Sequence, residues 1–575
     1  MSYTNAIVLV LTLLCSLSRI APAQAQQAND ISDVLAYINK SWDALTRSPV
    51  DCKTIMDVRV PEHSTLYLPK NYPEPASVKG LPAKCKITIA HLPQVIDSLG
   101  SLNMDNSPQQ GVLYLPNSYV VPGGFLNEMY GWDSYFIMVG LLRARRLDLA
   151  RGMVENFFFE IEHYGGILNA NRTYFLTRSQ PPFLSSMVMA LYDALPDPVT
   201  KRLWLEKSYP FIQRDYDMWT SGKKLAGNTG LSRYYDYGEG PVPEIATMHD
   251  PYYRDVFRYL QASVQGRQYL GEPGKASTKL IGPTFTLEAC EQDAPPRQVQ
   301  NRDLSGTPDA GANPSCEKSP VNQFKADYYK GDRAMRESGF DISFRFGDFS
   351  GSTHHYAPVC LNSLLYKEET DMASISKLLG KTAEAAQWTK RAQHRKELID
   401  KYLWNAQAEM YFDYDFVKGE QSKYQYATTF YPLWAGAASP QQAKGVMANL
   451  KNFEYQGGIA MSPYETGVQW DLPYGWAPVN FIDVEGMRRY GFTQDADRVS
   501  REWINTVAAN FRKDNTIREK YDVVSSTKEF NVTAGYKENV VGFGWTNAVV
   551  LEFAYELGML PGKAKAAADG SEPAR

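Results

Sequence analysis

The sequence predicts an all-α protein built as a helical toroid or solenoid, and three observations predict this class. Beyond about residue 130, amphipathic helix patterns followed by short turns recur along the chain. Runs of alternating apolar and polar residues, which are typical of half-buried strands, are scarce. Some helical stretches form pairs separated by a turn, as in helical hairpins, although no repeat of fixed period is visible.

The individual helices are predicted from stripes of apolar residues and from capping residues. In the stretch 145–165, Leu149, Met153 and Phe157 fall on one face of a helix. Another helix begins after Ser439, which has the side chain of a good N-cap and precedes a proline at the first helical position.

Two further stretches predict long helices. Residues 361–404 form a pair of antiparallel helices broken at Gly380, and residues 493–515 form one helix with Thr493 as its cap.

The N-terminus has the pattern of a signal peptide over residues 1–25. The apolar run Ala6–Leu17 is too short to span a bilayer, and it ends in Ala-Gln-Ala before Gln26. A periplasmic or secreted protein is therefore expected, with no membrane association after cleavage of the peptide. Disulfides are compatible with that location, and the candidate pairs are Cys52–Cys85 and Cys290–Cys316, with Cys360 a buried free thiol.

The remaining organisation follows from local composition. Residues 50–120 are rich in Pro, Tyr and Leu with few helical stripes, which predicts an N-terminal extension over 26–120 that wraps around a helical domain over 121–560. Residues 263–325 are polar and rich in Pro and Gly, which predicts a long surface insertion. The tail 561–575 is expected to be disordered.

Charge and composition exclude several classes of partner. The net charge of −4 gives no basic footprint, so no nucleic acid is expected. The seven His show no HExxH pattern and no Cys/His set has zinc-ligand spacing, so neither a metal nor a cofactor is expected. A monomer is expected. Aromatic residues make up 13% of the chain, which fits either a large helical core or a sugar ligand that stacks on aromatic faces.

Five loop-like islands between the helices mix aromatic residues with carboxylates or amides. In a helical barrel they would line one end of the molecule. They are 122–136 (PGGFLNEMYGWDSYF), 169–183 (NANRTYFLTRSQPPF), 337–351 (ESGFDISFRFGDFSG), 469–478 (QWDLPYGWAP) and 517–522 (IREKYD).

These islands carry a resemblance to the trehalase family of inverting glycoside hydrolases, glycoside hydrolase family thirty-seven. The stretch QWDLPYGWAP fits the second signature of that family, and RSQPPF, SGFDISFRF, EKYD and GFGWTN match in the order of the family. The likeness extends from about Val112 to Leu557. It implies an (α/α)6 barrel over 121–560.

The resemblance also implies the chemistry and its residues. An inverting hydrolase needs a carboxylic acid that protonates the leaving oxygen and a carboxylate, roughly 6.5–9.5 Å away, that activates water. These roles correspond to Asp341 and Glu519. The apolar neighbours of Asp341 would raise its pKa, and Arg518 or Lys520 could keep Glu519 ionised if either turns toward it.

The family also implies sugar-binding residues, with Trp470 as the face on which a glucose ring stacks. The corresponding positions are Trp132, Asp133, Asn169, Arg178, Gln180, Glu244 and Trp470.

Three positions depart from the family pattern. Phe125 and Val242 stand where the family has arginines, and Tyr536 stands where a lid glutamate is expected. The leading hypothesis is hydrolysis of α,α-trehalose to two glucose molecules. Because two arginines are missing, a different α-glucoside is an alternative substrate, and a non-catalytic sugar-binding protein is a further alternative.

Overall fold

Helices dominate the computed structural model, which describes residues 31–57, 64–102, 108–247, 252–271 and 324–560. In chain order they are α1 (31–45), α2 (Cys52–Ile55), α3 (Ala76–Lys79), α4 (Leu81–Cys85), α5 (Asp133–Arg143), α6 (Leu147–His163), α7 (Leu184–Ala194), α8 (Pro198–Trp219), α9 (Pro243–Thr247), α10 (Tyr252–Ala262), α11 (Ala326–Glu337), α12 (Val359–Leu378), α13 (Thr382–Tyr402), α14 (Tyr431–Ala435), α15 (Pro440–Ala448), α16 (Ala477–Arg489), α17 (Thr493–Asp514) and α18 (Gly544–Glu556).

Six of the described helices form a closed inner ring. Around it, α5 contacts α7, and the contacts continue through α12, α14, α16 and α18 back to α5. The closing contact is tight, since a Cβ on Gly140 of α5 would lie 2.7 Å from the Cα of Ala548 in α18. Glycine at this position therefore lets the two backbones approach closely.

Outer helices cover this ring and complete an (α/α)6 barrel. The inner helices α5, α7, α12 and α16 each contact the helix that follows them, namely α6, α8, α13 and α17. On the outside, α1 packs against the seam, where the Tyr37 ring lies 5.3 Å from that of Phe511 and Trp42 approaches Gly140. The prediction of an all-α toroid is confirmed.

Most of the helix signals mark real boundaries. The capping box at Ser439 is present, with its hydroxyl accepting from the Gln442 N–H, and Gly380 separates α12 from α13 with a φ of +77°. The cap predicted at Thr493 is wrong by one residue, because Thr493 is already helical and Phe492 precedes it.

Strands are short and lie between the helices. They are β1 (Thr46–Arg47), β2 (Thr65–Leu68), β3 (Thr88–His91), β4 (Val112–Leu113), β5 (Tyr119–Val120), β6 (Tyr356–Ala357), β7 (Trp404–Asn405), β8 (Met410–Tyr411), β9 (Tyr414–Asp415), β10 (Glu420–Gln421), β11 (Glu454–Tyr455), β12 (Gly458–Ile459), β13 (Tyr474–Trp476) and β14 (Lys520–Asp522).

The region before the barrel contains a parallel sheet with the order β3-β2-β4. The predicted disulfide between Cys52 and Cys85 is present and joins α2 to α4, and Cys360 is a buried free cysteine. None of the described helices combines the length and the apolar character that a membrane crossing requires.

Several predictions fall outside the described residues. These are the signal peptide 1–25, the tail 561–575, the pair Cys290–Cys316 and most of the insertion 263–325. At the two described ends of that insertion, Leu270 and Phe324 form an antiparallel bridge beside α11. The N-terminal extension as a unit that wraps the barrel stays a prediction.

Candidate active site

The loop that carries Asp341 begins where α11 ends. Ser338 caps the helix, and Gly339 follows with a φ of +77°, the left-handed conformation that commonly ends helices. A Cβ on Gly339 would lie 2.7 Å from the indole of Trp132, so glycine is needed here for its backbone conformation and for its size. This turn brings Phe340 and Asp341 against the N-terminal end of α5.

The end of α11 is fixed by a buried ion pair. The carboxylate of Glu337 accepts from Lys224 Nζ at 2.5 Å and from the backbone N–H groups of Ser179 and Tyr235. Both side chains of the pair are fully buried. Three distant segments therefore hold the residue four positions before Asp341.

The Asp341 side chain is one-third exposed, at 34%, although it lies deep in the protein. Its Oδ2 lies 3.5 Å from Nη1 of Arg336. Burial raises the pKa of Asp341 to about 7, against the opposing charges of Arg336 and Arg178. A carboxyl group with this pKa is in part protonated at neutral pH, as a general acid needs to be.

Glu519 has a very different environment. Its side chain is 8% exposed, and Lys520 Nζ donates to Oε2 at 2.5 Å. The Tyr536 hydroxyl lies 2.7 Å from both carboxylate oxygens. Of the two cations that flank Glu519 in sequence, Lys520 turns toward it, whereas Arg518 pairs with Asp514.

The backbone of Glu519 is held by the sequence motifs around it. Its N–H donates to Val540 O, and its carbonyl accepts from Trp545 Nε1 at 3.0 Å. Strand β14, which follows Glu519, pairs with β13 and places Lys520 opposite Trp476. The motifs EKYD, GFGWTN and QWDLPYGWAP therefore meet at one place.

The two carboxyl groups share one site. Asp133, Lys520 and Tyr536 each interact electrostatically with both Asp341 and Glu519. Burial raises the pKa of Asp133 well above its usual range, and the charges of Glu519 and Asp341 raise it further. Asp133 is the first residue of α5 and is 4% exposed.

The other predicted polar residues cluster around Asp341. Arg178 forms an ion pair with Glu244, and both act on the Asp341 carboxyl. Asn169 Nδ2 donates to the carbonyl of Arg336 at 3.5 Å. Gln180 is placed differently. Its Oε1 accepts from the backbone N–H of Trp132 at 2.9 Å, so it holds the chain at the start of α5 and does not face Asp341 with this oxygen.

The tryptophans form a wall behind this site. Trp470 stacks on Trp476 with ring centroids 3.8 Å apart, and it also contacts Phe340 and Trp132. Trp470 and Trp132 are each 2% exposed. Trp470 is therefore not an open stacking face in this structure, and a role for it in sugar binding stays a prediction.

The motif comparison missed one site residue, Arg336. It lies on α11 and is 7% exposed, and its guanidinium lies 4.9 Å from the centre of the Tyr252 ring. Nη2 of Arg336 makes no hydrogen bond in the part of the chain that the structure describes. Its spacing of five residues before Asp341 was visible in the sequence, but nothing there showed that the side chain turns toward the carboxyl.

Two of the three positions that depart from the family pattern, 125 and 242, lie in exposed or apolar surroundings, whereas the third, Tyr536, bonds Glu519. Val242 is fully buried, and its N–H donates to the Tyr253 hydroxyl, whereas Phe125 is 56% exposed. Arg336 is linked to this position through Asp332, which lies 3.5 Å from Arg336 Nε and accepts from the same Tyr253 hydroxyl. A guanidinium thus comes from α11 rather than from position 242.

Comparison with known proteins identifies the class and then the family. The barrel and its paired carboxyl groups have the architecture of an (α/α)6 glycoside hydrolase. A family model described as Trehalase matches residues 24–268 and 313–558. The chain belongs to the trehalase family.

Individual relatives agree with this assignment. The chain is 34% identical to a cytosolic neutral trehalase of Neurospora crassa, with 84% of this chain and 62% of that protein covered. It is 32% identical to one of Saccharomyces cerevisiae, over 90% of this chain and 71% of that protein. A solved neutral trehalase of Saccharomyces cerevisiae superposes with a TM-score of 0.70 at 29% identity, covering 95% of this chain and 96% of that one.

The similarity to these trehalases covers only part of one relative, and it also bears on the predicted location of the protein. The chain spans only about three fifths of the length of the Neurospora relative, 62%. The names of the relatives also contradict the predicted periplasmic or secreted location, since these similar proteins are called cytosolic. The prediction of an exported protein, made from an apolar N-terminal run that lies outside the described residues, is wrong.

Proposed function

We propose that this protein hydrolyses α,α-trehalose to two glucose molecules with inversion at the attacked carbon. One observation carries the proposal: two carboxyl groups with opposite environments share one site, Asp341 with a raised pKa and Glu519 bonded by a cation and a phenol. Pairs of carboxyl groups whose surroundings differ in this way divide the roles of acid and base.

Asp341 acts as the general acid in this proposal. Its proton passes to the oxygen that joins the two glucose rings while the bond from that oxygen to one anomeric carbon breaks. Arg336 Nη1, 3.5 Å from Oδ2, then stabilises the carboxylate that remains. The side chain is exposed enough, at 34%, to meet the substrate.

Glu519 acts as the general base. It takes a proton from a water molecule that attacks the same anomeric carbon from the opposite face. Each carboxylate oxygen can accept two hydrogen bonds. Among the described residues Oε1 is bonded by Tyr536 alone, so it keeps an acceptor position for this water, while Lys520 and Tyr536 share Oε2.

Polar groups around Asp341 bind the sugar hydroxyls. Arg178, Arg336 and Asn169 offer donors, and Glu244 offers an acceptor beside Arg178. The raised pKa of Asp133 favours its protonated form, which can donate to a hydroxyl between the two catalytic groups. No step of this mechanism draws on a metal or a cofactor.

The proposal is tested by incubating the purified protein with trehalose and measuring glucose. Steady release of two glucose molecules per trehalose supports it. Saturable binding of trehalose in calorimetry without release of glucose would instead support a sugar-binding protein that lacks catalysis.

A second candidate keeps the mechanism and changes the substrate to another α-glucoside. It is favoured by the apolar burial of Val242 and the exposure of Phe125, which leave two expected arginines missing. A hydrogen bond to a charged group contributes about 1.5–3 kcal/mol, so the absence of two arginines is enough to change which α-glucoside the site prefers. A panel of α-linked glucosides decides, because faster cleavage of any other member than of trehalose favours this candidate.

A further inference from the structure

We propose that Asp327, His354 and His355 form a binding site for a divalent transition-metal cation of the Zn²⁺ class. None of the three residues belongs to the sugar site described above. Their ligand atoms, one per residue, all lie within 4.8 Å of one another. The sequence did not indicate the site, because Asp327 lies 27 positions before His354 and the pair of histidines matches no zinc-ligand spacing.

The distances are close to those of a metal site. Asp327 Oδ1 lies 2.9 Å from Nε2 of His354 and 3.4 Å from Nε2 of His355. Zinc binds nitrogen and oxygen at 2.0–2.2 Å in a tetrahedron, which separates neighbouring ligand atoms by about 3.3 Å. Asp327 Oδ1 lies close to this spacing from both histidines, and the two histidine nitrogens are no more than 4.8 Å apart, so they would approach each other by at most about 1.5 Å to admit the ion.

The protonation states also suit a cation. Burial lowers the pKa of His354, which favours the neutral imidazole that binds metals. Hydrogen bonds from His354 and His355 hold the pKa of Asp327 below its usual range, so its carboxylate is ionised. Nε2 of His354 lies 2.9 Å from Asp327 Oδ1, so a bound ion would replace the proton that these two atoms share, and its binding would release that proton.

The site is open on one side and supported on the other. The side chains of Asp327 and His355 are 54% and 26% exposed, which leaves an entry path and room for water as a further ligand. The backbone carbonyls of both histidines are held, that of His354 by Arg233 at 2.7 Å and that of His355 by the Phe416 N–H at 3.1 Å. Arg233 donates to a carbonyl, but its charge opposes a bound cation and favours a moderate affinity over a tight one.

The position of the cluster links it to the catalytic acid. Asp327 lies in the first turn of α11, and the histidines end the 3₁₀ helix Thr353–His355, which contacts α11. The segment between them carries Arg336 and Asp341. A bound ion would therefore link the two ends of the segment 327–355, because its ligands come from both ends.

The backbone already brings these ends together. A Cβ on Gly331 of α11 would lie 1.8 Å from the carbonyl oxygen of Gly351, so the helix and the returning chain touch backbone to backbone. An ion that binds the folded arrangement and not the opened one stabilises the folded arrangement by mass action. Zinc-class ions should thus protect the segment that carries Asp341 from local opening.

The test uses the full, untagged chain after removal of metal with a chelator. Calorimetric titration with Zn²⁺ should show one saturable site per chain, and Co²⁺ should give the visible absorption of a nitrogen- and oxygen-bound ion. Mg²⁺, which prefers octahedral oxygen ligands, should not bind at this site. Hydrogen exchange of residues 326–355 should slow when Zn²⁺ is added.

Matched variants assign the binding to this cluster. His355→Ala should weaken Zn²⁺ binding by about 10²-fold or more, as loss of a ligand exceeds the 10–100-fold effect of outer partners. Asp327→Asn keeps the size of the side chain and should weaken binding as well. His394→Ala removes an exposed histidine elsewhere, on α13, and should leave the site unchanged.

None of these readouts depends on hydrolysis of trehalose, so this proposal can fail while the proposed function stands, and the reverse. Absence of saturable Zn²⁺ binding would overturn the site. Binding of unchanged affinity in both His355→Ala and Asp327→Asn would overturn it too, because the ion would then lie elsewhere.

Discussion

The acid side and the base side of the site use the same chemical group in opposite surroundings. Around Asp341, the nearest cation in the described structure is Arg336, with 3.5 Å between charged atoms, and burial raises the pKa to about 7. Around Glu519, Lys520 at 2.5 Å and Tyr536 at 2.7 Å bond the carboxylate directly. Asp341 therefore has a raised pKa and one cation nearby, whereas the carboxylate of Glu519 accepts direct hydrogen bonds from an ammonium and a phenol.

In the proposed mechanism the surroundings, rather than the residue type, assign the two roles. The hydrogen bond from Lys520 to Glu519 requires a buried cation, which is unfavourable by itself. Lys520 is fully buried, and its ammonium lies 4.1–4.7 Å from the ring centres of Trp476, Phe530 and Tyr536. These aromatic faces help to stabilise a cation that burial alone disfavours.

The largest expected effect comes from removing either carboxylate. Asp341→Asn and Glu519→Gln should each lower kcat on trehalose by about 10²–10⁴-fold, the usual contribution of a positioned acid or base. The two variants should differ on α-glucosyl fluoride, because fluoride leaves with little help from an acid. Asp341→Asn should recover much of its rate on this substrate, and Glu519→Gln should not.

The fluoride comparison has a simple control and a clear contradiction. Circular dichroism and thermal melting should show that both variants keep the parent fold. Recovery by Glu519→Gln rather than by Asp341→Asn would mean that the two roles are reversed.

Lys520→Met comes next in size. It leaves the buried carboxylate of Glu519 without its cation, and breaking a buried pair costs about 3–5 kcal/mol. We expect kcat to fall by about 10²-fold or more, with 1.36 kcal/mol equal to a factor of ten. The control is Lys528→Met, which removes a lysine paired with the more exposed Asp514 and should leave kcat within about twofold.

Tyr536→Phe should have a smaller effect on the base side. It removes the phenol that bonds both oxygens of Glu519 but keeps Lys520 in place. A hydrogen bond to a charged group is worth about 1.5–3 kcal/mol, which predicts a loss of about 10–10²-fold in kcat. Unchanged kcat with a raised KM would mean that Tyr536 only closes the pocket.

The smallest expected effect is a shift in the pH profile of kcat/KM, caused by a change in the pKa of Asp341. Since Asp341 must be protonated, kcat/KM should fall as pH rises through about 7. Arg336 lowers the pKa of Asp341, so Arg336→Gln should raise that pKa and move the falling limb to higher pH. Arg336→Lys keeps the charge and should keep the limb in place, and an unmoved limb in Arg336→Gln would contradict the assignment of Asp341.

Local features of the fold could be predicted from the sequence. The hairpin broken at Gly380 and the cap at Ser439 depend on neighbouring residues, and both are present. The closed ring of six described inner helices followed from the family resemblance rather than from periodicity, because closure depends on contacts such as Gly140 with Ala548, which lie far apart in sequence.

The site was harder to predict, for the same reason. Motifs located Asp341 and Glu519, but the direction in which Arg336 and Lys520 turn depends on packing between distant segments. Trp470 shows a further limit. Its aromatic ring suggested a stacking face, but the sequence did not show that Trp476, six residues away on β13, stacks on it, and its role in sugar binding stays a prediction.

The most direct test of opposed acid and base groups is the anomeric form of the first products. Proton NMR during early hydrolysis of α,α-trehalose should show α-glucose and β-glucose in equal amounts, since inversion converts only the attacked ring. Release of α-glucose alone, before mutarotation, would mean retention of configuration and would contradict the arrangement of Asp341 and Glu519 proposed for this protein.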